Sequence, residues 1–208
     1  MIKVFFLIFE TELAWDRIVM AQRSVKRIFL AHLLPMVLIA CAVEGAGLKH
    51  WGRIHPDIRR NIAFSRSDVL LYEGFQLILS IAVVFICTRL VNLMGQTFRT
   101  RSTLREAFTA VTYGLSPLFL LRCANAFPQI NPWATWGAGI ALSIWILYQG
   151  LPRIMRPDPT HAFGLYLMTA MVLALVTGLV QLLTTLYLMQ HIRHIAGHIK
   201  TFLPGVHF

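Results

Sequence analysis

The sequence has few charged residues and no polar stretch long enough to form a soluble domain. Only 13% of its 208 residues are charged and 57% are hydrophobic, whereas about 25% of an average soluble domain is charged. It also contains no Walker P-loop, no HExxH and no GxSxG motif. These absences exclude the familiar nucleotide-binding and hydrolytic enzymes, and we predict a protein that is not an enzyme.

Cysteine is scarce as well. The three cysteines are Cys41, Cys87 and Cys123, and none belongs to a CxxC pair, so neither a disulfide framework nor a structural zinc site is indicated. Only His32 lies well inside an apolar block, whereas a haem held by two histidines needs a facing pair. We therefore predict no cofactor.

Acidic residues are outnumbered, with 9 Asp and Glu against 19 Lys and Arg, for a net charge of +10. No RNP-like, zinc-finger or helix-turn-helix pattern accompanies this charge, which argues against a nucleic-acid partner. In a membrane protein, Lys and Arg collect beside anionic lipid headgroups. Membrane lipids are therefore the predicted contact of the basic residues.

What the sequence does contain is five apolar blocks, each long enough to cross a bilayer. A span needs about 20 mostly apolar residues, since a helix rises 1.5 Å per residue across roughly 30 Å of hydrocarbon. The predicted spans are residues 28–48, 69–91, 107–127, 133–151 and 162–189. Pro35 and Pro117 predict kinks in the first and third spans. The predicted fold is an all-α polytopic bundle of five transmembrane helices.

The segments outside the predicted spans form two further parts of the chain, one at each end. Residues 1–27 predict an amphipathic helix on the membrane surface, anchored by Phe5, Phe6, Phe9 and Trp15. Residues 28–189 form the transmembrane domain, and residues 190–208 a polar tail that contains histidines. With five spans, slightly more basic residues fall on the side of the membrane that holds the amino terminus than on the opposite side. Since basic residues favour the cytoplasmic side, this predicts a cytoplasmic amino terminus and an external carboxyl terminus. The predicted location is a bacterial inner membrane.

Several stretches, taken in order, resemble the Yip1 family of five-span membrane proteins in its bacterial form. These are FETELAWDRIV followed by HLLPMVLIA, then EAFTAVTYGLSPLFLL, and finally ILYQGLPRIMRPDPTHAFG. Gly150, Leu151 and Pro152 form the family-like turn after the fourth span, where glycine would close a helix and proline would stop it. The long acidic region and the Asp-Leu-Tyr-Gly motif of the eukaryotic trafficking members are absent. The resemblance implies a five-helix bundle without catalytic residues that organises or partners other membrane proteins.

Charged residues inside the apolar blocks are the strongest candidate site, since each is unfavourable in a membrane unless it is paired or hydrated. Glu44, Glu73 and Arg122 fall at a similar depth in their predicted spans, and Gln76 lies one turn from Glu73 on the same face. We predict that they share one buried cluster. The favoured interpretation is a clamp between helices, and the alternative is a proton or ion pathway of a small transporter.

The tail holds a second candidate. His191, His194 and His198 are spaced to share one helix face and could bind zinc or copper, or associate with a pigment. No carboxylate or cysteine is spaced to complete a metal site. We favour a polar face at the membrane surface and keep a metal- or pigment-associated subunit as an alternative.

The fourth predicted span carries small residues on which another helix can pack closely. They include Ala134, Gly137 and Gly139, with Trp136 among them. We favour packing within the bundle, with a partner interface as the alternative. The predicted function is a non-catalytic organiser or accessory subunit of a larger assembly, in contact with lipids and other integral membrane proteins.

Overall fold

The computed structural model describes residues 7, 10–54, 61–62, 64–98, 100 and 103–202. Side chains are described for these residues up to residue 189, except in the two short strands. These residues are almost all helical, which confirms the predicted all-α class. The two strands are Arg53–Ile54 (β1) and Asn61–Ile62 (β2), which pair antiparallel with Arg53 opposite Ile62.

The helices vary widely in length. In chain order they are α1 (Thr11–Ala21), α2 (Val25–Ile28), α3 (Leu34–Trp51), α4 (Arg66–Thr97), α5 (Leu104–Gly114), α6 (Ser116–Arg122), α7 (Pro132–Met155) and α8 (Ala162–Phe202). A π-helical turn, Phe29–Leu33, joins α2 to α3, and a 3-10 turn, Cys123–Ala126, follows α6.

Four helical runs of the described chain are long and apolar enough to cross a membrane. They are Val25–Trp51, Arg66–Thr97, Leu104–Ala126 and Ala162–Met189, and they match the first, second, third and fifth predicted spans. The fourth predicted span lies in α7, which has 24 residues but is not among the four. Tryptophan, tyrosine and glutamine dilute its apolar run. The chain is thus a multi-pass membrane protein with four candidate spans, and α7 as a fifth stays a prediction.

Pro35 and Pro117, the two prolines predicted to kink their spans, each coincide with a distortion of the helix. Before Pro35 the chain forms the π-helical turn, in which the N–H of Leu34 bonds to the Phe29 carbonyl. At Pro117 the helix is interrupted, so that α5 ends at Gly114 and α6 begins at Ser116. The reason in both cases is that proline has no N–H to donate to the preceding turn.

The bundle is arranged around α4 and α7. Helix α4 packs against α3, α5 and α8, while α7 packs against α1, α5, α6 and α8. The core between them contains Val84 of α4, Phe108 and Val111 of α5, and Leu147 of α7, all buried. The charged site lies where α3, α4 and α6 meet.

The amino-terminal helix is held by the bundle itself. Trp15 is fully buried, and its Nε1 donates a hydrogen bond to the Ile146 carbonyl of α7 at 3.1 Å. Arg153 of α7 adds ion pairs to Glu12 at 3.2 Å and to Asp16 at 3.4 Å. The prediction of Trp15 as a lipid anchor is therefore wrong, because its ring packs into protein. The other predicted anchors, Phe5, Phe6 and Phe9, lie outside the described residues.

The predicted helix end at Gly150, Leu151 and Pro152 is also wrong. Helix α7 continues through Pro152 to Met155 and ends at Arg156, whose φ of 44° places it in the left-handed region. Gly150 has a different role, since a Cβ added there would overlap the Trp15 indole. The glycine is needed because α1 packs directly on the α7 backbone.

Candidate functional site: a buried charge cluster

Three charged side chains from three helices meet inside the bundle. Arg122, at the end of α6, donates from Nε to Glu44 Oε2 of α3 at 2.6 Å and from Nη2 to Glu73 Oε2 of α4 at 3.2 Å. Glu44 is 1% exposed and Glu73 9%, and the Arg122 side chain is 13% exposed. The structure thus brings together the three charges that the sequence placed at one depth. We name Glu44, Glu73 and Arg122 the charge cluster.

Neutral polar groups extend the charge cluster along α4. The third guanidinium nitrogen of Arg122, Nη1, donates to Ser80 Oγ at 3.1 Å, and Ser80 donates to the Gln76 carbonyl at 2.7 Å. The Gln76 side chain donates to the Tyr72 hydroxyl at 2.9 Å. Gln76 thus supports the charge cluster through its backbone. Sequence reasoning missed Ser80, although its position seven residues after Glu73 puts it on the same helix face.

Two glycines of α3 permit the close approach of the three helices. A Cβ at Gly47 would overlap the backbone of Ala126, in the turn after α6, and one at Gly45 would lie 3.0 Å from the Glu73 Cγ. Without side chains at these positions, α3 lies directly on the neighbouring turn and on α4. Glu44 is therefore close enough to Arg122 for a direct ion pair.

The electrostatics of the charge cluster favour a fixed arrangement. Burial of an ion is unfavourable by several kcal/mol, and only close pairing with further hydrogen bonds compensates for it. Here all three guanidinium nitrogens of Arg122 have an acceptor at 2.6–3.2 Å. With both carboxylates ionised, the cluster carries one negative charge. Such an arrangement can hold three helices in register.

A cavity of about 310 Å³ lies beside the charge cluster. Glu44 and Arg122 form part of one wall, and Asn125 and Gln181 add polar groups elsewhere. Further hydroxyls come from Thr177, Thr184 and Thr185 of α8. The lining is mostly apolar, but a cavity with such polar groups next to buried charges can hold water or a small polar solute.

The small residues predicted as a packing surface on α7 divide between two faces. A Cβ at Gly139 would lie 2.9 Å from the Cα of Leu118, so this glycine packs against α6. Gly137 has open space beside it, and Ala134 is exposed. Trp136 faces α8, where its Nε1 donates to Thr177 Oγ1 at 3.2 Å.

A buried histidine forms a second polar contact. His32 Nε2 lies 2.9 Å from Ser116 Oγ, and its ring stacks near that of Tyr113 at 4.4 Å between centroids. Because Ser116 donates to the Thr112 carbonyl at 3.0 Å, we infer that His32 Nε2 is the donor to Ser116. This contact ties the π-helical turn before α3 to the proline break between α5 and α6.

The predicted histidine site cannot be placed. The side chains of His191, His194 and His198 lie outside the described residues, so a metal or pigment there stays a prediction. Among the described residues, no group of three or more His, Cys, Asp or Glu side chains could hold a metal ion.

Comparison with known protein families identifies a match over most of the chain. The family model described as Yip1 domain matches residues 6–183, a range that includes α1 to α7 and the first half of α8. The chain shows no significant match to a curated protein or to a solved structure.

Proposed function

The chain belongs to the Yip1 domain family, and we propose that it is a non-catalytic integral membrane protein that organises or stabilises a larger membrane assembly. The proposal includes α7 as a fifth span, a cytoplasmic amino terminus and a bacterial inner membrane. The observation that carries it is the outward face of α7.

This outward face consists of small residues followed by two flat aromatic rings. Five exposed positions of α7 recur at alternating intervals of four and three residues, which places them on one side of the helix. They are Ala134, Ala138, Ala141, Trp145 and Tyr148. Trp133 and Pro152, near the two ends of the helix, are exposed as well. Small side chains allow a second helix to approach the backbone closely, and such contacts drive helix association in membranes.

The outward faces of α4 and α8 have a different composition. Apart from Arg89 of α4, their exposed positions along the middle of the spans are mostly large and apolar, as suits contact with lipid tails. They include Leu70, Leu71 and Ile78 on α4, and Leu175, Leu179 and Leu183 on α8. Helix α7 therefore differs from α4 and α8 in the small size of most side chains on its outward face. Cover by another protein helix suits such a face better than cover by lipid tails.

The charge cluster supports the same function. Arg122 uses every guanidinium nitrogen to hold α3 and α4 against α6. A carrier that changes conformation would have to break these buried contacts in each cycle, which is unfavourable in a medium of low dielectric constant. A bundle with a fixed frame is better suited to presenting a constant surface to partners.

The cavity beside the charge cluster favours a second candidate function, a small transporter or ion pathway. Its wall includes Glu44 and Arg122, and intramembrane ionisable groups often mark ion routes. Purified protein in liposomes separates the two functions. An ion flux that Glu44→Gln abolishes, in protein that remains folded, would support the pathway and contradict the organiser.

Photo-crosslinking in native membranes tests the organiser directly. A photoreactive amino acid replaces Ala138 on the outward face of α7, and the control carries it in place of Ile78, which is 66% exposed on α4. We expect an adduct of discrete mass with another membrane protein from position 138 and none from position 78. Equal labelling at both positions, or lipid adducts alone at position 138, would refute this role for α7.

A further inference from the structure

A second cavity, of about 370 Å³, lies at the other end of the bundle, between α1 and the ends of α5 and α7. Four of its lining residues are arginines, namely Arg17, Arg23, Arg105 and Arg156. We propose that this cavity, the arginine cavity, binds the phosphate group of an anionic amphiphile, with an anionic phospholipid as the source that its surroundings favour.

The charge around the arginine cavity is unbalanced. Only two carboxylates line it, those of Glu10 and Glu106. Glu106 already accepts hydrogen bonds from the Thr103 N–H at 2.6 Å and its hydroxyl at 3.0 Å, so it caps the start of α5. The ion pairs among the described residues all involve Arg122 or Arg153. The four arginines of the cavity therefore have no paired carboxylate in the described part of the chain.

Arginine is the side chain best suited to hold a phosphate in such a place. Its planar guanidinium donates two parallel hydrogen bonds to phosphate oxygens, and it never loses its charge at physiological pH. Arg17 and Arg156 are exposed and Arg23 and Arg105 are half-buried, so the cavity has an open entrance and a charged inner wall. Like charges gathered around one cavity repel each other, and a bound phosphate removes that repulsion.

The rest of the lining and its level in the membrane favour a lipid over a soluble phosphate. Apolar side chains complete the wall: Ala14, Ile18, Val19, Ala21, Ile28 and Ile154. Arg105 lies in the first turn of the candidate span that begins at Leu104, and Ile28 in that of the span that begins at Val25. The cavity is therefore at the level where helices enter the membrane, and basic pockets at that level bind anionic headgroups.

Native mass spectrometry of the whole purified chain in detergent tests the proposal, with three added probes: phosphatidylglycerol, phosphatidylcholine and soluble glycerol phosphate. The cavity variant is Arg105→Gln/Arg156→Gln. The control is Lys26→Gln/Arg27→Gln, which removes the same charge from exposed residues of α2 that do not line the cavity.

We expect the wild type to bind phosphatidylglycerol in preference to phosphatidylcholine. The cavity variant should bind it about thirtyfold more weakly, since each basic residue near an anionic headgroup contributes roughly five- to sixfold, while the control stays close to the wild type. Glycerol phosphate could instead bind as tightly as the lipid and lose this binding in the cavity variant alone. That result would assign the site to a soluble phosphate and overturn the lipid as its ligand. Equal loss in both variants, or no preference between the two lipids, would overturn the proposal.

Discussion

Removal of the cation from the charge cluster should be far more damaging than removal of the whole cluster. Arg122→Leu leaves Glu44, 1% exposed, and Glu73, 9% exposed, close together without the guanidinium. Loss of one partner from a buried ion pair typically lowers the free energy of unfolding by about 3–5 kcal/mol. We expect a loss in this range, since both ion pairs of Arg122, at 2.6 and 3.2 Å, disappear together.

The triple variant Arg122→Leu/Glu44→Gln/Glu73→Gln removes the buried charges as well. Only neutral hydrogen bonds and packing are then lost, so we expect a smaller decrease of roughly 1–2 kcal/mol. Glu73→Gln alone should have the smallest effect, because Arg122 and Glu44 remain as a neutral pair and the Glu73 contact is the longer one.

Thermal unfolding in detergent, followed by the fluorescence of the five tryptophans, measures these differences. For a chain of this length, 1 kcal/mol corresponds to roughly 2–4 °C in Tm. The single variant should therefore unfold about 10 °C below the wild type and the triple variant only a few degrees below it. If Arg122→Leu and the triple variant unfold at the same temperature, the three side chains do not act as one unit and the reasoning is refuted.

Two further substitutions can be followed by the same unfolding measurement. Gly150→Ala should lower the free energy of unfolding by about 1–3 kcal/mol, since the added methyl displaces the buried Trp15 ring and overpacking is destabilising. In the control Gly137→Ala the added methyl meets nothing within 4 Å, so this variant should be neutral or slightly stabilised. An equal loss of stability in both variants would contradict the packing of α1 on α7. Thr103→Ala removes the hydroxyl that accepts from the Glu106 N–H at 3.4 Å and should destabilise the chain by about 1 kcal/mol; an unchanged Tm would show that this cap contributes nothing.

Some features of the fold could be predicted because they depend on local composition. Runs of apolar residues predict membrane helices whatever surrounds them, since an unpaired backbone in hydrocarbon is too unfavourable. The disruption at Pro35 and Pro117 follows from a missing N–H, which is a property of the residue alone. Glu44, Glu73 and Arg122 could be grouped from sequence because charge is rare inside such runs and these three residues fall at a similar depth in their spans.

Other features depend on what lies opposite a residue, and periodicity carries no such information. The segment around Trp15 has the same amphipathic pattern whether the Trp15 ring faces lipid or the backbone of α7. The stretch from Gly150 to Pro152 is typical of a helix end, yet α7 continues through it. Because Gly150 has no side chain, the Trp15 ring can pack against the helix at this position. The two faces of α7, one with Gly139 against Leu118 and one with Gly137 open, likewise cannot be told apart in the sequence.

The amino-acid sequence by itself therefore determines that this chain is a helical membrane protein of the Yip1 domain family, and it limits where buried charge can lie. The tertiary structure alone decides which partners those charges have, which glycines serve as contact sites, and where arginines gather around a cavity. The physical reason is that hydrophobicity and proline act within one helix, whereas ion pairs, close packing and cavities arise only between helices.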